Sequence, residues 1–122
     1  AGADVVAYYS DARLKDFHGN IDNALDKVMK LNGYYFTENK RAKELGYHNP
    51  DMQVGVSAQE VKEVLPELIK LAPISMASYN KKEKNVKPDH NYMTIDYAKL
   101  TPLLIEAIKE LKMEINELKG IE

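Results

Sequence analysis

Ile21, Ala24, Leu25 and Val28 recur at i, i+3, i+4 and i+7, with Asp22, Asp26, Lys27 and Lys30 between them. That spacing predicts a helix over residues 21–31 with one apolar stripe. Asn20 is a suitable N-cap, and Asn32-Gly33 supplies a stop that tolerates positive φ. Tyr34-Tyr35-Phe36-Thr37 has the aromatic and β-branched content of a strand. Residues 38–50 are charged, end in His-Asn-Pro, and read as a solvated loop with one helical turn. Met52, Val54 and Val56 then alternate on one face of a strand over 52–56. Ser57 and Glu60 form a capping box that opens a helix with Val61, Val64 and Leu65 on its apolar face. Pro66 has no amide donor, so it ends or kinks that helix near Leu65, or opens a new helical piece carrying Leu68 and Ile69. Residues 72–79 and 92–97 predict a hairpin across the polar connection 80–89. Residues 1–9 are an extended segment, with Val5, Val6, Tyr8 and Tyr9 favouring a strand. Residues 10–16 are polar around Leu14 and read as a turn.

The strongest pattern is at the end of the chain. Thr101-Pro102 predicts a helix start with Pro102 at the first helical position, and the helix runs over about 101–119. Leu104, Ile108, Leu111, Ile115 and Leu118 follow one another at steps of 4, 3, 4 and 3. This is a heptad seam with Ile at a and Leu at d, and Glu114 at g and Lys119 at e are placed for an interchain ion pair. A lone amphipathic helix also arises by packing on its own domain. The seam is narrow, however, and suits helix-to-helix contact better than a broad core face. About two and a half heptads are too few to hold chains together alone, so the globular part must add contacts.

With 122 residues, the chain supports one domain. Seventeen Lys and Arg against 19 Asp and Glu leave a net charge of −2, which offers no electrostatic reason to expect nucleic acid or an anionic membrane as partner. No apolar stretch is long enough for a membrane span. The absence of cysteine excludes disulfides, thiol nucleophiles and cysteine-ligated metals. Eight Tyr, two Phe and no Trp point to aromatics lying half in and half out of contact surfaces. His18, His48 and His90 stand thirty or more residues apart without a carboxylate cluster, so no metal site is expected. The glycines are scattered singly, so no phosphate loop and no cofactor are expected either. The lysine run over 81–87, broken by Glu83, reads as a solvated loop.

Ser10 and Lys15 are a candidate nucleophile and base. A serine hydroxyl is a poor nucleophile until a base removes its proton. A lysine serves as that base only when burial or nearby positive charge, here Arg13, favours its neutral form. A separation of five is about 140° around a helix and falls on opposite faces of a strand. The two side chains therefore meet only across a turn or between chains, and the spacing does not by itself select a dyad.

Four blocks in register nevertheless resemble one family. They are Ser10-Asp11-Ala12-Arg13-Leu14-Lys15; Ala24-Leu25 leading to Leu31-Asn32-Gly33 and Phe36; Gly55-Val56-Ser57-Ala58-Gln59-Glu60-Val61 followed by Pro66-Glu67-Leu68; and Ile95-Asp96-Tyr97-Ala98-Lys99-Leu100-Thr101-Pro102 continuing through Leu103, Leu104, Ile105, Glu106, Ala107, Ile108, Lys109 and Glu110 to Leu111. Together they resemble the C-terminal intramolecular chaperone domain of bacteriophage tail spikes and fibres. This endosialidase-type family is also classed as a self-cleaving serine peptidase.

The resemblance implies a homotrimer and an α+β fold: a small antiparallel sheet with short helices, and a long C-terminal helix forming a trimeric coiled coil. Residues 1–9 would end an upstream fibre segment of the same chain, and 10–122 would be the chaperone domain. Ser10 would be the nucleophile, Lys15 the base and Tyr9–Ser10 the scissile bond. Asp11 and Arg13 would position the pair, or form a salt-bridged turn. Ile at a with Leu at d is the pattern of parallel dimers; so short a coil is expected to follow the globular contacts into a trimer. The implied setting is a virion tail fibre or spike precursor assembled in the host cytoplasm. The alternative is a permanent trimerisation cap that never cleaves. A receptor-binding tip using the 81–87 loop is a third reading.

Overall fold

The computed structural model describes residues 9–71 and 92–120. Most of the extended segment expected over 1–9, the strand expected over 72–79, the lysine run and His90 lie outside the described residues. The fold is α+β, with short helices, two two-stranded antiparallel sheets and one long helix near the C-terminus.

The first helix, α1, spans Ala24–Met29 and is shorter than its apolar periodicity predicts. Its N-cap is Asn23, in left-handed conformation with φ 48°, and not Asn20. The Asn23 side chain makes no capping hydrogen bond. A distant residue does that work: the Glu110 carboxylate accepts from Ala24 N and Leu25 N, each at 2.9 Å. Four amides at a helix start lack intrahelical partners, and a carboxylate there also meets the positive end of the helix dipole. Asn20 instead donates to Glu106 Oε1 at 3.3 Å. Two glutamates one turn apart on the long helix thus hold the entry to α1.

Strand β1, Tyr34–Phe36, pairs antiparallel with β2, Gln53–Gly55, in the register Tyr34 to Gly55, Tyr35 to Val54 and Phe36 to Gln53. The charged segment between them carries the expected helical turn as α2, Lys40–Glu44, capped by Asn39 accepting from Ala42 N at 2.9 Å. Gly55 is required by close approach. A Cβ there would lie 2.8 Å from Tyr97 Oη and 2.9 Å from Phe36 Cε1. Tyr97 Oη also accepts from Val56 N at 3.2 Å, tying this ribbon to the turn before the long helix. On the opposite face Tyr35, Val54 and Met52 are exposed.

Helix α3, Ala58–Val64, begins where the capping box predicts, with Ser57 Oγ accepting from Glu60 N at 3.3 Å. The reciprocal half of the box is not made. The Glu60 carboxylate turns to β1 and accepts from Tyr34 Oη at 2.7 Å and from Asn32 Nδ2 at 3.3 Å. Pro66 opens a single 3-10 turn, Pro66–Leu68, so Leu68 follows the second reading of that proline. Ile69 does not; it begins strand β3, Ile69–Leu71. β3 pairs antiparallel with β4, Met93–Ile95. Ile69 faces Ile95 and Leu71 faces Met93, and such apolar cross-strand pairs stabilise the ribbon. Among the described residues the partner of the strand near residue 95 is 69–71.

A 3-10 turn, Tyr97–Lys99, leads into the long helix α4, Leu100–Lys119, which Gly120 ends in left-handed conformation at φ 72°. Its N-cap is Lys99, so Pro102 stands third in the helix and not first. The missing proline amide still falls among the four that lack a helical partner. Leu103 and Ala107 of α4 are buried against Ala24 of α1, with Ile21, Leu25, Val28, Leu31, Leu65 and Leu100 packed around them. Burying one leucine such as Leu103 contributes roughly 2 kcal/mol. Small side chains at Ala24 and Ala107 let the two helices approach closely.

The capping glutamate yields a pH prediction. Bonds from Leu25 N and Ala24 N hold the Glu110 carboxyl below the ordinary glutamate value. A lowered folded-state pKa means the contribution is complete above about pH 4.5 and is lost as pH falls through the lowered value. Glu110→Gln is expected to lower the melting temperature at pH 7 by about 5 °C. The gap between variant and wild type should close in thermal melts as pH falls below the ordinary glutamate value and through the lowered one. A gap that stays constant with pH would show that the carboxylate's charge does not cap α1.

Candidate functional site

Ser10 and Lys15 meet across a turn. Asp11 caps the 3-10 turn Ala12–Leu14, its Oδ1 accepting from Arg13 N at 2.9 Å. Leu14 N donates to Asp11 O at 3.0 Å and Lys15 N to Ala12 O at 3.1 Å. This reversal brings Lys15 Nζ to 3.0 Å from Ser10 Oγ, a contact that a separation of five makes on neither a helix nor a strand. Arg13 clamps Asp11 with Nε at 3.1 Å from Oδ1 and Nη2 at 2.8 Å from Oδ2. The guanidinium first, then the Arg13 amide, holds the Asp11 carboxyl below the usual carboxylate range, and the same pairing raises Arg13. The salt-bridged turn is thus the device that joins Ser10 to Lys15.

Arg13 is engaged by Asp11, and the other cations near Lys15 come from elsewhere in the chain. Tyr9, Lys15, Lys70, Asp96 and Lys99 line one cavity of about 370 Å³. Lys15 Nζ lies 6.0 Å from the centre of the Tyr9 ring. Lys70 comes from β3, and Lys99 from the turn that Asp96 caps by accepting from Ala98 N at 3.2 Å. Among the described residues neither Lys70 nor Lys99 has an ion-pair partner. Lys70 carries no local signal in the sequence, and Asp96 and Lys99 stand in the last of the resembling blocks with no role assigned there; pairing of β3 with β4 is what gathers the three. Among the described residues no group of three or more His, Cys, Asp or Glu stands close enough to hold a metal ion.

The heptad residues Leu104, Ile108, Leu111, Ile115 and Leu118 are all exposed, Leu118 to 89%. They lie about 80° around α4 from the stripe of Leu100, Leu103, Ala107 and Glu110 that faces α1. One helix therefore carries two adjoining faces, and among the described residues only one of them is packed on the domain. Among the described residues five apolar side chains are buried and nineteen large ones are exposed, an imbalance that a single chain leaves uncovered.

The sequence profile of a family described as chaperone of endosialidase matches residues 10–70, from Ser10 into β3. The chain belongs to the chaperone-of-endosialidase family. It is also 32% identical over 111 residues to the long tail fiber protein Gp37 of Enterobacteria phage K3, a match covering 91% of this chain and 8% of that protein. The corresponding protein of Enterobacteria phage T2 is 32% identical across 91% of the chain and 7% of its own length. That of Salmonella phage S16 is 33% identical over 110 residues, 90% of this chain and 13% of its own. The chain thus spans under a sixth of these relatives. The family description names a chaperone, and these relatives are phage long tail fiber proteins. Among the described residues no helix is long and apolar enough to cross a membrane.

Proposed function

We propose that this chain is an intramolecular chaperone that trimerises, assists folding of an upstream β-rich tail-fibre segment, and then releases itself by cutting the Tyr9–Ser10 bond. The contact of 3.0 Å between Ser10 Oγ and Lys15 Nζ, at the first residue of the family match, carries the reading. With its amine neutral, Lys15 takes the hydroxyl proton as Ser10 Oγ attacks the Tyr9 carbonyl carbon. The C–N bond breaks, Lys15 returns the proton to the Ser10 nitrogen, and an ester joins Tyr9 to Ser10. Water then hydrolyses the ester, leaving a Tyr9 carboxylate and a free Ser10 amine. Attack within one residue exploits proximity that no bimolecular reagent matches.

The uncovered seam and the small buried core support a homotrimer. Bringing three chain ends together raises their effective concentration. That matters for a β-rich fibre, whose non-local contacts form slowly. Release of the head after assembly leaves a product whose unfolding is slow.

Mass spectrometry of the chain expressed with a fibre segment ahead of residue 1 tests the reading. A product beginning at Ser10, absent from Ser10→Ala, is expected. An intact wild-type chain in a folded, assembled fibre would make the domain a permanent cap.

A further inference from the structure

Gathering like charges around one cavity is unfavourable unless something negative fills it, and here three lysines share a cavity with a single carboxylate. Asp96 already accepts from Ala98 N. Tyr9, whose carbonyl carbon is the one Ser10 would attack, forms part of the same wall. We propose that Lys70 and Lys99 hold the negative charge that cutting creates at the Tyr9 carbonyl, first as the oxyanion of the tetrahedral intermediate and then as the Tyr9 carboxylate.

The inference rests on the cleavage reading above and extends it. As Ser10 Oγ bonds to the Tyr9 carbon, the carbonyl π electrons move onto oxygen, and Lys15 carries the serine proton. The oxyanion persists until the C–N bond breaks and forms again when water attacks the ester. Hydrolysis ends with a full negative charge on Tyr9 in place of a neutral amide. Lys15 is occupied with the proton at each stage, which leaves Lys70 and Lys99 as the cations of the cavity that can serve the oxygen. Lys70 and Lys99 face the cavity from a paired strand and from a capped turn, and charge placed in advance costs no reorganisation as the reaction proceeds. Asp96 acts as a positioning residue, since its cap shapes the turn that carries Lys99.

The test is the single-turnover cleavage rate of the chain expressed with a fibre segment ahead of residue 1, with assembly followed by sedimentation. Lys70→Met and Lys99→Met are each expected to slow cleavage about 10²-fold while assembly persists. Lys70→Arg and Lys99→Arg, which keep the charge, are expected to recover most of the rate. If a Met variant fails to assemble, Lys→Gln at that position replaces it. Assembled Met or Gln variants that cut at the wild-type rate would overturn the inference and leave the cleavage reading standing. Arg variants as slow as Met would overturn it too, because a structural lysine and not its charge would then be the cause. A wild-type chain that stays intact overturns both readings.

Discussion

Lys15→Met is expected to block cleavage at Tyr9–Ser10 and to leave chain assembly unchanged. Methionine keeps much of the lysine stem and removes the amine that lies 3.0 Å from Ser10 Oγ. The turn itself survives, because it is held by the Lys15 and Leu14 amides and by the Asp11–Arg13 clamp, none of which needs the ammonium. Loss of a positioned base slows a reaction by about 10²–10⁴-fold, so the variant should yield no Ser10-terminated product over the time in which wild type is fully cut. Mass spectrometry of the assembled variant measures the loss. Cleavage at an unchanged rate would assign the base elsewhere, and failure to assemble would make Lys15 a structural residue.

Leu111→Asp combined with Ile115→Asp is expected to convert the assembly to monomers. Both residues are exposed on α4, and neither belongs to the cluster in which Leu103 and Ala107 pack on Ala24. The substitutions therefore leave intrachain packing intact, and the monomer should keep its helical circular dichroism. In an assembly they would bury unpaired carboxylates at the seam, each costing several kcal/mol. Sedimentation should report a species of 13.9 kDa. Trimers that persist would place the contact on another surface, such as the exposed face of Tyr35, Val54 and Met52.

What was legible in the sequence was what depends on neighbours along the chain. The i, i+3, i+4 recurrence from Ile21 to Val28 located α1, Ser57 marked the start of α3, and the 4-3 steps marked α4. Strand content at Tyr34 and alternation at Val54 located β1 and β2. The misplacements share one cause. Asn20 has the chemistry of a cap, but Glu110, 86 residues from Ala24, offers two charged acceptors and takes its place. Ile69 sits after a proline among helix formers, yet pairing with Ile95 draws it into a strand. For the candidate site, Ser10 and Lys15 were legible only through a motif, because a turn brings them together. Lys70, Asp96 and Lys99 were not singled out as site residues, since a cavity wall assembled from the middle of β3 and the turn after β4 leaves no periodic trace.

Lys99 is at once the N-cap of α4 and part of the cavity wall beside Lys15. A 20-residue helix extends about 30 Å, so α4 is a lever whose pivot stands at the cavity that Tyr9 and Lys15 line and whose free arm carries the uncovered seam. Sideways play at the tip reaches the pivot only as a small change of angle. Whatever grips the arm therefore steadies the cavity wall with the whole length of the helix as mechanical advantage.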